Sequence, residues 1–299
     1  MKTVTNNPDF VMPSLLERRK NRVKTSTNKV PFQVMIIAVV TICTLFSLFP
    51  LLITILNSLK TADQVNQSIF SLPSGQVWST FCSNFSTAWS VIGKRFFPTV
   101  IVAIVGAIGT TMLGAVLSYI LVFKNFYFKN VIFMLFISVL LVPSIIGFPT
   151  LVPLIRDTFH LGDTYFGYIM PTIGGAQVGA MFLFRTFFSQ HPKSLYESAR
   201  LEGANDVQVF FKLTLPLGLP IMLYYALTIF TSVYNDFLWA SLILDNKLTL
   251  MSVIFSYADN NYNGALYAIY IISSLPLIFT TFISMKYFAS GEFASGMKL

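Results

Sequence analysis

The chain has 299 residues, 55% of them hydrophobic and 11% charged, with a formal net charge of +8 and a mean hydropathy of +0.69. Soluble domains carry about 25% charged residues, so this composition excludes an ordinary water-soluble globule and makes lipid the solvent. Strands of a membrane barrel would run about 10 residues with alternating polarity; no segment alternates that way, and the expected class is an all-α integral membrane protein.

Residues 1–30 form a polar, basic tail with Arg18, Arg19, Lys20, Arg22 and Lys24. Its charge reads as an orientation signal rather than a nucleic-acid contact. The apolar run that follows is too long for the core of a cleavable signal peptide. Six apolar segments come next: Pro31–Leu56, Phe97–Val122, Val131–Ile155, Tyr165–Phe184, Leu213–Leu244 and Ala265–Met285. Each meets the roughly 20 residues that a helix needs to cross a bilayer. The chain thus divides into the tail, a transmembrane domain over 31–288 with a polar loop at about 190–212, and a C-terminal tail over 289–299. With the N-terminus placed in the cytoplasm, only Lys60, Lys94, Arg95, Arg156 and Lys247 of the 20 Lys and Arg fall outside. That bias puts both termini inside, in a multi-pass cell-membrane protein.

Residues 57–96 read as the longest outside loop, with a turn signal at Leu72-Pro73-Ser74-Gly75 and aromatics at Trp78, Phe81, Phe85 and Trp89. Cys43 lies in the first span and Cys82 in this loop, so no disulfide is implied. His160 and His191 fall on opposite sides of the membrane, and no metal site is expected. Gly93-Lys94 lacks the flanking residues of a phosphate-binding loop: Ala88 stands where the first Gly belongs, and Arg95 where Ser or Thr does. In the third span, Pro143, Pro149 and Pro153 predict a kink.

The polar loop is the most informative stretch. Ser194 and Glu197 have the spacing of a capping box, after Pro192. Glu197 and Arg200 are spaced to pair on one helix face. Gly203 fits the left-handed position that ends a helix, and Asn205-Asp206-Val207-Gln208 can cap a second helix leading to Leu215-Pro216, with Pro216 and Pro220 bending the return. Physics alone allows an amphipathic connector lying on the membrane surface.

The residues Glu197, Ser198, Ala199, Gly203, Ala204, Leu213, Leu215 and Pro216 resemble the EAA motif of binding-protein-dependent ABC importer permeases, with Ser198 in place of the first Ala. Tyr234-Asn235-Asp236-Phe237 resembles a W-N-(D/E)-F segment in the fifth span of carbohydrate-uptake permeases. The run from Tyr287 and Phe288 through Gly291, Gly296 and Lys298 is similar to the C-terminal tail of their maltose-permease G-type subunit. The resemblance implies a six-helix permease bundle whose loop holds a coupling helix. That helix would dock on a separate ATPase subunit through Glu197, Ser198, Ala199, Gly203, Ala204, Leu215 and Pro216. Gly291, Gly296 and Lys298 would also touch the ATPase. It further implies a second permease subunit, two ATPase subunits, an extracytoplasmic solute-binding protein docking on the outside loops, and a carbohydrate, most simply an oligosaccharide, as cargo. The chain itself would be no enzyme and bind no cofactor; ATP and Mg would sit on the partner.

Asp236 is the one acid well inside an apolar segment; such groups face a cavity or a partner. It serves either the substrate path or helix–helix bonding with Asn235. Tyr119, Gln177, Tyr234 and Trp239 have the chemistry to meet a sugar in that path. A permease for amino acids or polyamines is the alternative within the family. An ion-coupled secondary transporter would want several intramembrane ionisable groups or matched broken helices. A membrane enzyme would want a cluster of Asp, His, Ser or Cys at the interface, and none is visible.

Overall fold

The computed structural model describes residues 30–289, with side chains over 32–285. Contacts divide it after Thr54 into two units. The first is the bulk of helix α1 (Val30–Ser58), which has no charged residue and carries Pro50 inside it. Its hydroxyls bond back along the helix, Thr44 to the Val40 carbonyl and Thr54 to the Pro50 carbonyl. No polar side chain among these is left for lipid to solvate.

The second unit, from Ile55 on, is a helical bundle. Among the described residues four helices are long and apolar enough to cross a membrane, and the pair Lys129–Val139 and Ser144–Thr158, bent by 89°, is a further candidate. The bend is the predicted kink in the third span. Helix α4 (Lys129–Val139) stops before Pro143, which opens a 3-10 turn at Ser144–Gly147, then α5 (Phe148–Pro153) and a π turn over Leu154–Thr158. Helix α6 (Tyr165–Phe188) holds 24 residues, about 36 Å, enough for the roughly 30 Å of hydrocarbon. It is less apolar because much of it faces protein.

The expected outside loop over 57–96 is largely helix. A short α2 (Ala62–Gln67) is capped by Thr61, and α3 runs unbroken from Val77 to Phe123, 47 residues. At about 70 Å it exceeds any bilayer core, so the second span is only its C-terminal half. Its N-terminal half carries Trp78 stacked on Phe81 at 5.3 Å and Phe81 against Phe85 at 4.3 Å. These rings fix one side of a helix that local sequence pattern does not announce.

Helices α3 and α6 form the central pair. A Cβ at Gly114 would stand 2.3 Å from the Ala180 Cβ, so the backbones meet there as closely as small residues permit. Ser118 Oγ donates to the Gly114 and Met181 carbonyls at 2.7 and 2.9 Å, tying the two helices. Helix α9 (Leu215–Tyr234) and helix α12 (Gly264–Ala289) close the bundle around α3. The predicted fifth span breaks at Asn235–Phe237 and continues as α10 (Leu238–Ile243). An unpredicted helix, α11 (Leu250–Asn260), follows with Thr249 as its cap; the Thr99 hydroxyl on α3 accepts from the Leu250 amide at 2.9 Å.

Lys60, one of the cations assigned to the outside, is fully buried. Its ammonium donates to Asn57 Oδ1 at 3.0 Å and to the Ser68 and Ile69 carbonyls at 3.1 and 3.2 Å. It therefore pins the segment after α2. Lys60→Met would leave Asn57 Oδ1 and the Ser68 carbonyl without this donor, while the Ile69 carbonyl keeps its bond from Asn57 Nδ2, at about 1–3 kcal/mol for an unsatisfied buried group. A lowered melting temperature of the detergent-solubilised chain checks this; an unchanged one would show that water replaces the ammonium freely.

The segment after the bent pair and the segment between α10 and α11 are laced together. Asp163, at φ 53°, accepts from the backbone amides of Lys247 and Asn246 at 2.9 Å and of Asp245 at 3.1 Å. These bonds, that of Lys247 foremost, hold its carboxyl below the usual carboxylate range. Arg156 pairs with Asp245 at 2.5 Å.

Candidate functional site

The polar loop is a helix, a turn and a short second helix. Helix α7 (Lys193–Leu201) starts two residues earlier than the capping-box spacing predicts. Pro192 is its N-cap, with no side-chain capping bond. A proline there presets the chain for helix entry, so Ser194 falls inside the first turn and has no capping task. The expected pairing of Glu197 with Arg200 is also absent. Arg200 donates instead to Asp206 Oδ1 at 3.1 Å, and Lys124, just past the end of α3, pairs with Asp206 Oδ2. The Tyr119 hydroxyl reaches Asp206 Oδ1 at 3.4 Å. Asp206 thus joins the loop to α3, a role that spacing along one helix could not reveal because its cations come from across the turn.

The turn itself is as expected. Gly203 has φ +88°. Its amide donates to the Arg200 carbonyl at 3.0 Å, and the Ala204 amide reaches back to Ala199 at 3.0 Å. These are the two bonds of a Schellman ending, and Ala199 and Ala204 both pack toward the same apolar cluster. Asn205 and Gln208 form a reciprocal capping box, each bond 2.9 Å, opening α8 (Asp206–Val209). A π turn over Phe210–Thr214 then leads into α9. The wider ring lies one turn before Pro216, where a regular helix would press the pyrrolidine on a carbonyl. The return therefore continues as a helix through Pro216.

One residue anchors this island. Tyr196 is the buried residue of α7 and stacks on Phe123 with centroids 3.9 Å apart. Glu197 and Ser198, which point away from Tyr196, are exposed. Leu215 packs on the same cluster as Ala199, while Pro216 is exposed. One aromatic stack and one carboxylate hub thus tie the island to the end of α3.

Within the bundle, the bent pair, α6 and α9 enclose a cleft of about 720 Å³, within the range of small-molecule sites. Asp236 and Trp239 line it together with Tyr168, Phe148 and Ser232. Tyr168 Oη donates to Asp236 Oδ2 at 3.0 Å, and the Trp239 amide donates to Asp236 Oδ1 at 3.2 Å. The indole of Trp239 donates to the Tyr168 carbonyl at 3.0 Å. Asp236 therefore bonds to α6 and α10 rather than to Asn235, whose amide donates to the Thr231 carbonyl at 2.9 Å on its own helix.

The remaining path residues are not gathered here. Tyr234 is buried with its hydroxyl donating to the Ser273 carbonyl on α12 at 2.7 Å. Gln177 is buried on α6 with its Oε1 unpartnered. Tyr119 lies under the island, between Phe123 and Phe210. Tyr168, absent from the sequence-based candidates, lines the cleft and bonds Asp236; an aromatic in an apolar run gives no local signal. Gly291, Gly296 and Lys298 lie outside the described residues.

Residues 110–292 match the family described as "Binding-protein-dependent transport system inner membrane component". The arabinooligosaccharides transport system permease protein AraQ of Bacillus subtilis is 31% identical over 222 residues, covering 70% of this chain and 75% of that protein. The diacetylchitobiose uptake system permease protein NgcG of Streptomyces coelicolor is 31% identical over 240 residues, 77% of each. Among solved structures, a bacterial ABC transporter involved in import of the acidic polysaccharide alginate matches with a TM-score of 0.72 at 21% identity, covering 88% of this chain and 98% of that one. That likeness carries the fold.

Proposed function

Because the chain belongs to the family of inner membrane components of binding-protein-dependent transport systems, we propose that it is the permease subunit through which a carbohydrate, most simply an oligosaccharide, enters the cell. The observation that carries the cargo is that permeases for arabinooligosaccharides and diacetylchitobiose are both 31% identical over most of their length. The chain works beside a second permease subunit, two ATPase subunits that hold ATP and Mg, and an extracytoplasmic solute-binding protein. Both termini face the cytoplasm, following the distribution of Lys and Arg.

Helix α7 is the coupling helix in this reading. Glu197 and Ser198 present the exposed face to the ATPase, Ala199 and Ala204 allow close packing behind it, and Gly203 makes the turn. Leu215 and Pro216 begin the return span, and Gly291, Gly296 and Lys298 of the tail reach the ATPase as well. A rigid, capped helix transmits a displacement that a flexible loop would absorb. The cleft beside Asp236 and Trp239 is the stretch of the path nearest to substrate chemistry, with an aromatic face and a carboxylate. Tyr119, Gln177, Tyr234 and Asn235 are the path residues that lie outside this cleft.

Uptake of radiolabelled oligosaccharides by cells with and without the chain tests the assignment. Loss of uptake of one sugar class on deletion is the expected result. Undiminished uptake of every sugar in the panel would move the cargo to another solute.

A further inference from the structure

A second cleft lies at the island end of the bundle, about 770 Å³ in volume, where α3, α4, α6 and α7 meet. Its floor is apolar, with Leu121 and Phe188 buried at the ends of two spans. Its rim is basic. Lys129, Arg185, Lys193 and Arg200 line it, against the single carboxylate of Glu197. Arg200 is committed to Asp206. The other three cations have no ion-pair partner among the described residues. Lys129 donates to the Lys124 carbonyl at 2.9 Å, and the Arg185 guanidinium lies 3.7 Å over the Phe133 ring. Both are therefore held in place by neutral groups with their charge uncompensated.

A basic rim over an apolar floor, at the depth where membrane helices end, matches an amphiphile with an anionic head. Positively charged pockets between spans on the cytoplasmic side suit lipid headgroups, and a guanidinium binds phosphate oxygens through its planar fork. Tyr127 and Phe128 are strongly exposed at the turn into α4, as expected of aromatics at the headgroup level. We propose that this cleft binds the phosphate headgroup of an anionic phospholipid, with Arg185, Lys193 and Lys129 as its ligands. The proposal rests on the reading of α3 and α6 as spans and not on the identity of the cargo. It places a lipid against the side of the coupling helix that bears Lys193.

The test uses the chain with its partner subunits in phosphatidylcholine nanodiscs containing traces of spin-labelled phosphatidylglycerol or spin-labelled phosphatidylcholine. Electron paramagnetic resonance reads the immobilised fraction. Phosphatidylglycerol is expected to be retained preferentially, with the preference falling about fivefold for each cation removed in Arg185→Gln and Lys193→Gln. Lys193 is exposed on α7, so its variant carries the test if Arg185→Gln fails to accumulate. Equal retention of the two lipids overturns the proposal, as does a preference unchanged in the variants. Displacement of the labelled lipid by millimolar inorganic phosphate would reassign the cleft to free phosphate. Unchanged lipid retention with loss of the ATPase subunit from both variants would reassign it to the protein interface. Uptake is not the readout, so none of these outcomes bears on the transport assignment.

Discussion

Replacing Gly203 by proline is expected to abolish uptake while the chain still reaches the membrane. Three local consequences act together. Proline fixes φ near −65°, whereas Gly203 stands at +88°. It removes the amide that donates to Arg200, and it biases Glu202 toward extended backbone, away from the φ −75°, ψ 2° that Glu202 now holds. The Schellman ending would open, and Ala204 would lose its bond to Ala199. The island would then join α7 to α8 through a loose segment and could not pass a displacement to α9. Gly203→Ala is the matched control. Nothing lies within 4 Å of a Cβ there, so alanine meets only the left-handed backbone cost, about 1–2 kcal/mol, and uptake should stay near that of the parent. ATP hydrolysis by the reconstituted complex is the second reading. In the proline variant it should no longer respond to sugar-loaded binding protein. Normal uptake by that variant, with the chain present in the membrane, would separate the turn from coupling.

The largest effect on the fold is expected from Gly114→Leu. Even a methyl group at this position meets the Ala180 Cβ at 2.3 Å and the Ala180 and Met181 backbone at 3.2 Å. Backbone cannot rotate away as a side-chain tip can. Helices α3 and α6 would have to part, and the Ser118 hydroxyl would lose its reach to Met181. Overpacking of a tight core costs about 1–3 kcal/mol, and here it falls on the central pair of the bundle. A sharp drop in membrane level and in thermal stability of the solubilised protein is the expected outcome. Gly174→Ala, where a Cβ meets nothing within 4 Å, should leave both unchanged. Equal behaviour of the two variants would mean that α3 and α6 do not pack as closely as described.

The parts of this protein that were legible in its sequence are those that a local rule decides. Lipid demands long apolar runs, so the six segments stand out. A left-handed turn favours glycine, so Gly203 could be placed; Asn205 and Gln208 carry the reciprocal cap in their spacing. Proline has no amide to donate, so the break before Pro143 was readable. What escaped depends on partners far along the chain. Asp206 looks like one more polar residue until Lys124 and Tyr119 are brought beside it by α3. Lys60 looks like an exposed charge because its partners are two carbonyls and an amide oxygen, which no composition records. The start of α7 was misplaced because Ser194 and Pro192 both signal a helix start, and the proline prevailed. The N-terminal half of α3 reads as a loop because its mixed aromatic and polar residues show no period until the bundle supplies their neighbours.

The 47 residues of α3 hold four fittings in one rotational frame. Asn84 Nδ2 donates to the Ser58 and Lys60 carbonyls at 2.8 and 2.9 Å, Thr99 caps the entry to α11, Gly114 admits α6, and Tyr119 reaches Asp206. Each residue of a helix advances the frame by about 100° and 1.5 Å. A single inserted or deleted residue between Asn84 and Tyr119 would therefore swing every fitting on one side of it out of register at once. Length variation during divergence is confined by this geometry to connections such as 245–248, while the spacing along α3 has to be inherited whole.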